Sequence, residues 1–384
     1  MTDATGRSGW GSRAGRDLGP ALRSGALSCL ALTFLLAGCQ SSYLASQLAG
    51  QTHLLAAARP VDDVLADPAT TPALAERLRE AEELLAFARA NGLDVGDAYR
   101  TWVVPPEGVP VWVVSACPPD RLEPLQWAFP LVGAFPYKGF FRREIAEVQR
   151  EKLRAEGYEV DLRAAAAYST LGWLPDPLLP TLLDGDAADR AGGILHELAH
   201  RTVFVPGDAR LNESVATSIE ERGVALWLAG RGDSALAEEH ARRTRDRERL
   251  RAEVARTIEE LRAAFAAEER EVRLEAKARI LAELRGRLAA APFESDRTRV
   301  AGRIEWTLPA LLLQDVYGGD GPLLDRVWRA SGGTLPAYLD LLRRAAGSDD
   351  PRAELERSAD PEPPKPPDPD APSRSRSRSR GRRR

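Results

Sequence analysis

Apolar residues along this 384-residue chain recur at three- and four-residue steps over most of its length, interrupted by a shorter region of period-two segments. The first apolar run, Ala26 to Ala37, is about a dozen residues long, short of the roughly 20 that span a bilayer. Thr71-Pro72 reads as an N-cap followed by proline in the first turn, and Leu74, Leu78, Leu84, Leu85 and Ala88 continue at helical spacing up to Asn91-Gly92. Strands are predicted at 98–104, 109–116 and 127–135, separated by Pro105-Pro106 and Pro118-Pro119 and ended by Pro136. A helix over 141–156 follows, with Ile145, Val148 and Leu153 facing inward, and then Tyr158 to Leu162 alternates as a strand. Ala167 to Trp173 is a further extended run, stopped by Pro175-Asp176-Pro177.

Residues 187–203 and 211–229 predict two helices joined by a turn at Val205-Pro206-Gly207-Asp208. From 234 to 290 the chain is rich in Arg, Glu and Ala and has no Gly or Pro before Gly286. Leu250, Val254, Ile258, Leu261 and Phe265 make one narrow apolar stripe there, which predicts a long helix or a helical hairpin, packed on its own domain or paired in a coiled coil. Two more helical patterns occupy 303–345. From Asp349 onward proline, charge and Arg-Ser repeats predict a disordered tail. The fold class is therefore α+β and mainly helical. Its expected segments are a signal peptide at 1–38, a folded domain at 39–233, the charged helical segment at 234–290, C-terminal helices at 291–348 packing on that domain, and a tail at 349–384.

Charge sharpens the division. Four of the 53 basic residues lie before residue 39 and seven more between Arg374 and Arg384; without these ends, 42 basic residues face 55 acidic ones. The folded part is acidic, so nucleic acid is not an expected partner. Three cysteines, Cys29, Cys39 and Cys117, exclude a disulfide scaffold, and Cys117 ends an apolar strand where a buried, inert thiol is expected. The Arg-containing start, the short apolar run and Leu36-Ala37-Gly38-Cys39 resemble the lipobox of bacterial lipoproteins. That resemblance implies a lipid on Cys39, a membrane anchor through it, and an extracytoplasmic location. Gln40 stands where an inner-membrane retention signal has Asp, so the periplasmic face of the outer membrane is expected in a Gram-negative host.

The chemistry concentrates at His196-Glu197-Leu198-Ala199-His200. Residues four apart share a helix face, so two imidazoles there can hold one metal ion, and Glu197 beside them can accept a proton from an attacking water. Catalytic zinc takes three protein ligands. The next helix offers Asn212-Glu213, which resembles the second zinc motif of the gluzincin peptidases, the group that includes thermolysin and the large zinc aminopeptidases. Glu213, Ala216, Thr217 and Glu220 lie on one face of that helix. Glu213, nearest the returning loop, is assigned to the metal and Glu220 to the cleft wall or a supporting role. His53 and His240 lie far from the motif in sequence and are expected at the surface.

Taken with Gly50-Gln51, Leu54-Leu55, Arg59-Pro60, Ala66-Asp67-Pro68, Phe129-Pro130, Pro136 to Phe141 and Ala167 to Trp173, these motifs resemble the zinc aminopeptidase family of bacterial lipoproteins. The resemblance covers roughly 43–230 well and 300–345 loosely, while the 234–290 insert and the Arg-Ser tail are weaker or absent in it. It implies a zincin-like catalytic domain with a small sheet, an active-site helix and a glutamate helix, one Zn2+ ion, and a peptide substrate. It also implies an edge strand that pairs with substrate, for which Tyr168 to Trp173 is the candidate, with Tyr168 in contact and a core strand as the alternative, and an oxyanion donor, for which Tyr168, Tyr317 or another residue is a candidate. The Gly-x-Met-Glu-Asn segment of the large aminopeptidases is absent, the only Met being Met1, so exo- and endopeptidase action both stay open. The competing reading is a non-catalytic envelope scaffold with a structural metal. Glu197 argues against it, because a structural site has no use for a carboxylate between its histidines.

Overall fold

The computed structural model describes residues 43, 45–129, 133–165, 175–316 and 319–360. The signal segment with Cys39, the extended run holding Tyr168, Tyr317 and the Arg-Ser tail lie outside them. Residues 45–57 are helical (α1). The chain divides into a unit ending at His53 and a larger one from Leu54, and every other element belongs to the larger.

β1 (Arg59–Pro60), α2 (Val61–Ala66) and α3 (Pro72–Ala90) open it. The Thr71 side chain caps α3 by accepting from the Leu74 amide, and Leu78, Leu84 and Ala88 turn inward as their spacing requires. The strand expected at 98–104 shrinks to β2 (Thr101–Trp102), paired with β1. Tyr99 sits at φ 63°, in the left-handed region, and its amide donates to the Asp176 carbonyl at 2.7 Å. That turn docks the segment on residues 176–178 instead of extending the strand.

β3 (Val111–Cys117) is the centre of an antiparallel three-stranded sheet between β6 (Tyr137–Phe140) and β7 (Glu159–Ala165). Val114 lies opposite Lys138 on one side and Leu162 on the other. The single strand expected at 127–135 is a two-stranded pair, β4 (Trp127–Phe129) and β5 (Gly133–Phe135). α4 (Arg143–Ala155) buries Ala146 and Leu153, one residue pair seven apart, while Val148, expected inside, is 70% exposed on the opposite side.

α5 (Ala187–Thr202) and α6 (Ala209–Arg231) lie against each other in the main core, with Ile194, Leu195, Leu198, Leu211, Val215 and Ile219 sealed from solvent. The 234–290 segment is a hairpin, α7 (Ser234–Ala264) and α8 (Arg270–Ala290). It turns without Gly or Pro because the Arg273 guanidinium donates to the Ala267 and Glu268 carbonyls that the turn leaves over. Val254, Ile258 and Leu261 meet Ile280, Leu284 and Leu288 in a second core that includes Cys117, buried as expected, and Trp306. Lys277 to Glu159 at 2.6 Å and Arg273 to Asp120 at 2.7 Å tie the hairpin to the sheet region. His53 is exposed. His240 is 6% exposed, contrary to expectation, with Nε2 3.2 Å from the Glu221 carbonyl oxygen; α7 carries it because its first turns lie on α6.

Residues 303–345 form three helices where two were expected: α9 (Leu308–Val316), α10 (Gly321–Ala330) and α11 (Leu335–Ala346). Gly332 and Gly333, at φ 73° and 71°, break the last two apart. A tail was expected from 349, yet α12 (Pro351–Ala359) is ordered structure that buries Leu355 and Ala359 in the main core. Asp350 caps it, Pro351 opens its first turn, and Arg352 pairs with both Asp208 and Asp320. Composition hid an apolar i, i+4 pair among charges.

Candidate metal centre

α5 starts at a reciprocal cap. The Asp186 carboxylate accepts from the Asp189 amide at 3.1 Å, and Asp189 accepts from the Asp186 amide at 2.9 Å. Arg243 from α7 reaches both carboxylates, and burial, which alone would raise Asp186, is outweighed by these bonds, so its pKa is held at about 2. α5 then packs its glycines and apolar side against α6. A Cβ at Gly223 would stand 2.9 Å from Leu195 Cδ1, and one at Gly192 would stand 3.3 Å from Glu220 Oε1. The close approach leaves His196 and His200 facing α6, their rings 4.9 Å apart and nearly perpendicular.

The connecting loop is held by the other half of the Asn-Glu pair. Asn212 accepts from the Val205 amide at 2.7 Å and donates to the Val205 carbonyl at 2.8 Å, both buried. Asp208 caps α6 by accepting from the Leu211 amide at 3.0 Å. These contacts set the first turn of α6, and Glu213 Oε2 arrives 3.3 Å from His196 Nε2 and 3.6 Å from His200 Nε2. Glu220, two turns on, takes the other side of the same ring: its Oε2 lies 3.1 Å from His196 Nδ1. Arg247 of α7 stands 3.9 Å from Glu220 and 3.3 Å from Glu221.

One donor atom each from His196, His200 and Glu213 lie within 4.8 Å of one another, so the three could hold a metal ion. The fit can be tested on spacing. Ligands at about 2.0–2.1 Å in tetrahedral array stand about 3.3–3.4 Å apart, and the two histidine-to-carboxylate separations are 3.3 and 3.6 Å. Electrostatics agrees. Burial raises Glu213, but hydrogen bonds with His196 and His200 win and hold its pKa at about 2. Burial depresses His196, but its bonds to Glu213 and Glu220 carry its pKa well above the usual imidazole value. The cluster draws positive charge to this point, and a divalent ion would satisfy it in place of a proton. The donor set of two imidazoles and one carboxylate suits zinc.

Glu197, 9% exposed, lies near enough to His196, His200 and Glu213 to feel their charges. Burial raises its pKa; the neighbouring histidines lower it, and Glu213 and Asp176 raise it again. His196, Glu197, His200 and Glu213 are thus brought together from the positions their spacing indicated. Tyr168 and Tyr317 lie outside the described residues. Sequence reasoning missed the grip of Asn212 on Val205 and of α7 on Glu220 and Glu221. The first is a local contact across seven residues that the reading of the loop as a plain turn passed over, and the second depends on α6 and α7 meeting in three dimensions.

The model of a family described as "Putative aminopeptidase" matches residues 42–355. The chain belongs to that family. No curated protein and no solved structure matches it. The matched range takes in the α7–α8 hairpin, which the sequence resemblance covered weakly or not at all, and reaches into α12.

Proposed function

We propose that the protein is a zinc-dependent peptidase with a zincin-like active site, in keeping with the family's name. The observation that carries the reading is a buried Glu197 within the charge field of a His196, His200 and Glu213 donor cluster, the three-ligand set that catalytic zinc would take with a fourth position left for water. When bound, zinc would supply Lewis-acid activation of a water and of the peptide carbonyl. Glu197 takes the water's proton as the oxygen attacks the carbonyl carbon, then delivers it to the departing amine nitrogen as the C–N bond breaks. Glu220 accepts a hydrogen bond from His196 Nδ1–H, which fixes the ring and leaves the Nε2 lone pair for a metal ion that His196 and Glu213 would share. A scaffold with a structural metal would use four closed ligands and gain nothing from Glu197.

The test is zinc content and peptide hydrolysis of the chain from residue 40 onward, before and after chelation, on substrates with open and blocked N-termini. Glu197→Gln should keep the metal and lose at least ~10²-fold in hydrolysis. Undiminished hydrolysis by that variant, or by the chelated protein, would sink the reading. We also read Cys39 as the lipidated anchor of an extracytoplasmic protein. Cys39→Ala should then leave the membrane fraction, and an unchanged distribution counts against the anchor.

A further inference from the structure

His240, Thr244, Arg247 and Arg251 follow one another along α7 at three- and four-residue steps and so share one face of it. That face meets α6 at Glu220 and Glu221. His240 Nε2 stands 3.2 Å from the Glu221 carbonyl oxygen. The Thr244 hydroxyl donates to the His240 carbonyl at 3.0 Å and accepts from Arg247 Nη2 at 3.2 Å. Arg247 Nε donates to Glu221 Oε1 at 3.3 Å, and Arg251 Nη2 donates to the same oxygen at 3.1 Å. The Arg247 guanidinium is thus held at two of its nitrogens. Its third, Nη1, lies 3.9 Å from Glu220 Oε1, an ion-pair distance rather than a hydrogen bond.

The two oxygens of Glu220 therefore face different helices. Oε2 stands 3.1 Å from His196 Nδ1 on α5, while Oε1 faces Arg247 on α7. Gly192 leaves room for this, since a Cβ there would stand 3.3 Å from Oε1. A glutamate side chain has several torsions to fix, and the bond to His196 restrains one oxygen only. Arg247, itself pinned by Glu221 and Thr244, restrains the other. We propose that Arg247 is a positioning residue of the metal centre: it holds Glu220 against His196 and so raises the affinity with which His196, His200 and Glu213 take a divalent ion. The proposal rests on reading those three as a zinc site. It concerns the first half of α7 alone; the seam with α8 lies further on, at Val254, Ile258 and Leu261.

The test is Zn2+ affinity of the full chain, measured by competition with a chromophoric chelator, with the helix content of each variant checked by circular dichroism. Arg247→Gln should weaken zinc binding ~3–10-fold, less than the ~10–100-fold expected for a direct partner of a ligating histidine. Arg247→Lys, which keeps the charge, should recover part of that loss. The sign separates positioning from plain charge, because removing a positive charge near the centre would by itself favour a divalent cation. In a Glu220→Gln background Arg247→Gln should add less than ~2-fold, since the route through Glu220 is already cut. Arg251→Gln breaks a pair between α6 and α7 at Glu221, and should leave zinc affinity within ~2-fold. Unchanged or tighter binding by Arg247→Gln, a loss that persists in the Glu220→Gln background, or an equal loss in Arg251→Gln would overturn the proposal. Failure of the zinc reading looks different: the unmutated chain itself would then bind no zinc, and the positioning role would fall with the site.

Discussion

Two neighbouring helix pairs in this protein use charge in opposite ways. α5 and α6 press together through Gly192, Gly223 and a run of buried residues from Leu211 to Ile219, and carry Glu197, Glu213 and the two histidines inside. α7 and α8 meet along a stripe one residue wide, Val254, Ile258 and Leu261 against Ile280, Leu284 and Leu288. Their charges mostly stay outside, as in Arg256–Glu260 and Arg279–Glu283, each one turn apart. Ionisable groups taken out of water need a partner or a metal, whereas solvated pairs at the surface are worth little. The first pair therefore gathers donors that could hold a metal ion, and the second is built around a hydrophobic seam.

The contrast can be broken at its strongest point by comparing Glu213→Ala with Glu220→Gln. Glu213→Ala removes a donor from the cluster and should abolish zinc retention on dialysis. Glu220→Gln leaves the donors and loosens only the His196 ring, so zinc affinity should fall ~10–100-fold. Zinc lost from the Glu220 variant and kept by the Glu213 variant would reverse the two roles. Next in size is Leu284→Ala in the hairpin seam, which should cost about 2–5 kcal/mol in a denaturant titration with zinc affinity unchanged. A loss of zinc there would mean that the two helix pairs are not independent. Smallest is Arg256→Ala, in a pair whose arginine is 59% exposed; the denaturation midpoint should move by no more than about 0.5 kcal/mol's worth. A larger shift would show that the outer charges of the hairpin hold structure.

What the sequence made legible follows the same line. His196, His200 and Glu213 sit on two helices separated by one short loop, so local spacing was enough to bring them together. The hairpin seam was readable because apolar residues recur among charges without interruption. The short strand at Thr101–Trp102 was not, because Tyr99 leaves the extended region to reach Asp176, a contact made across more than 70 residues. Val148 misled because α4 buries the face set by Ala146 and Leu153, and the larger apolar side chain falls on the other side.

The two-point hold of Asn212 on Val205 has a consequence for how the protein reaches this structure. All three donors of the cluster come from an 18-residue span, His196 to Glu213. Joining the ends of so short a loop costs little chain entropy, and each doubling of its length would add only about 0.6 kcal/mol. The centre is a low-contact-order unit, able to close on the timescale of neighbouring helices. The β3–β7 pairing, by contrast, must bring together residues more than 40 positions apart, so the centre can be gathered before the sheet beside it is complete.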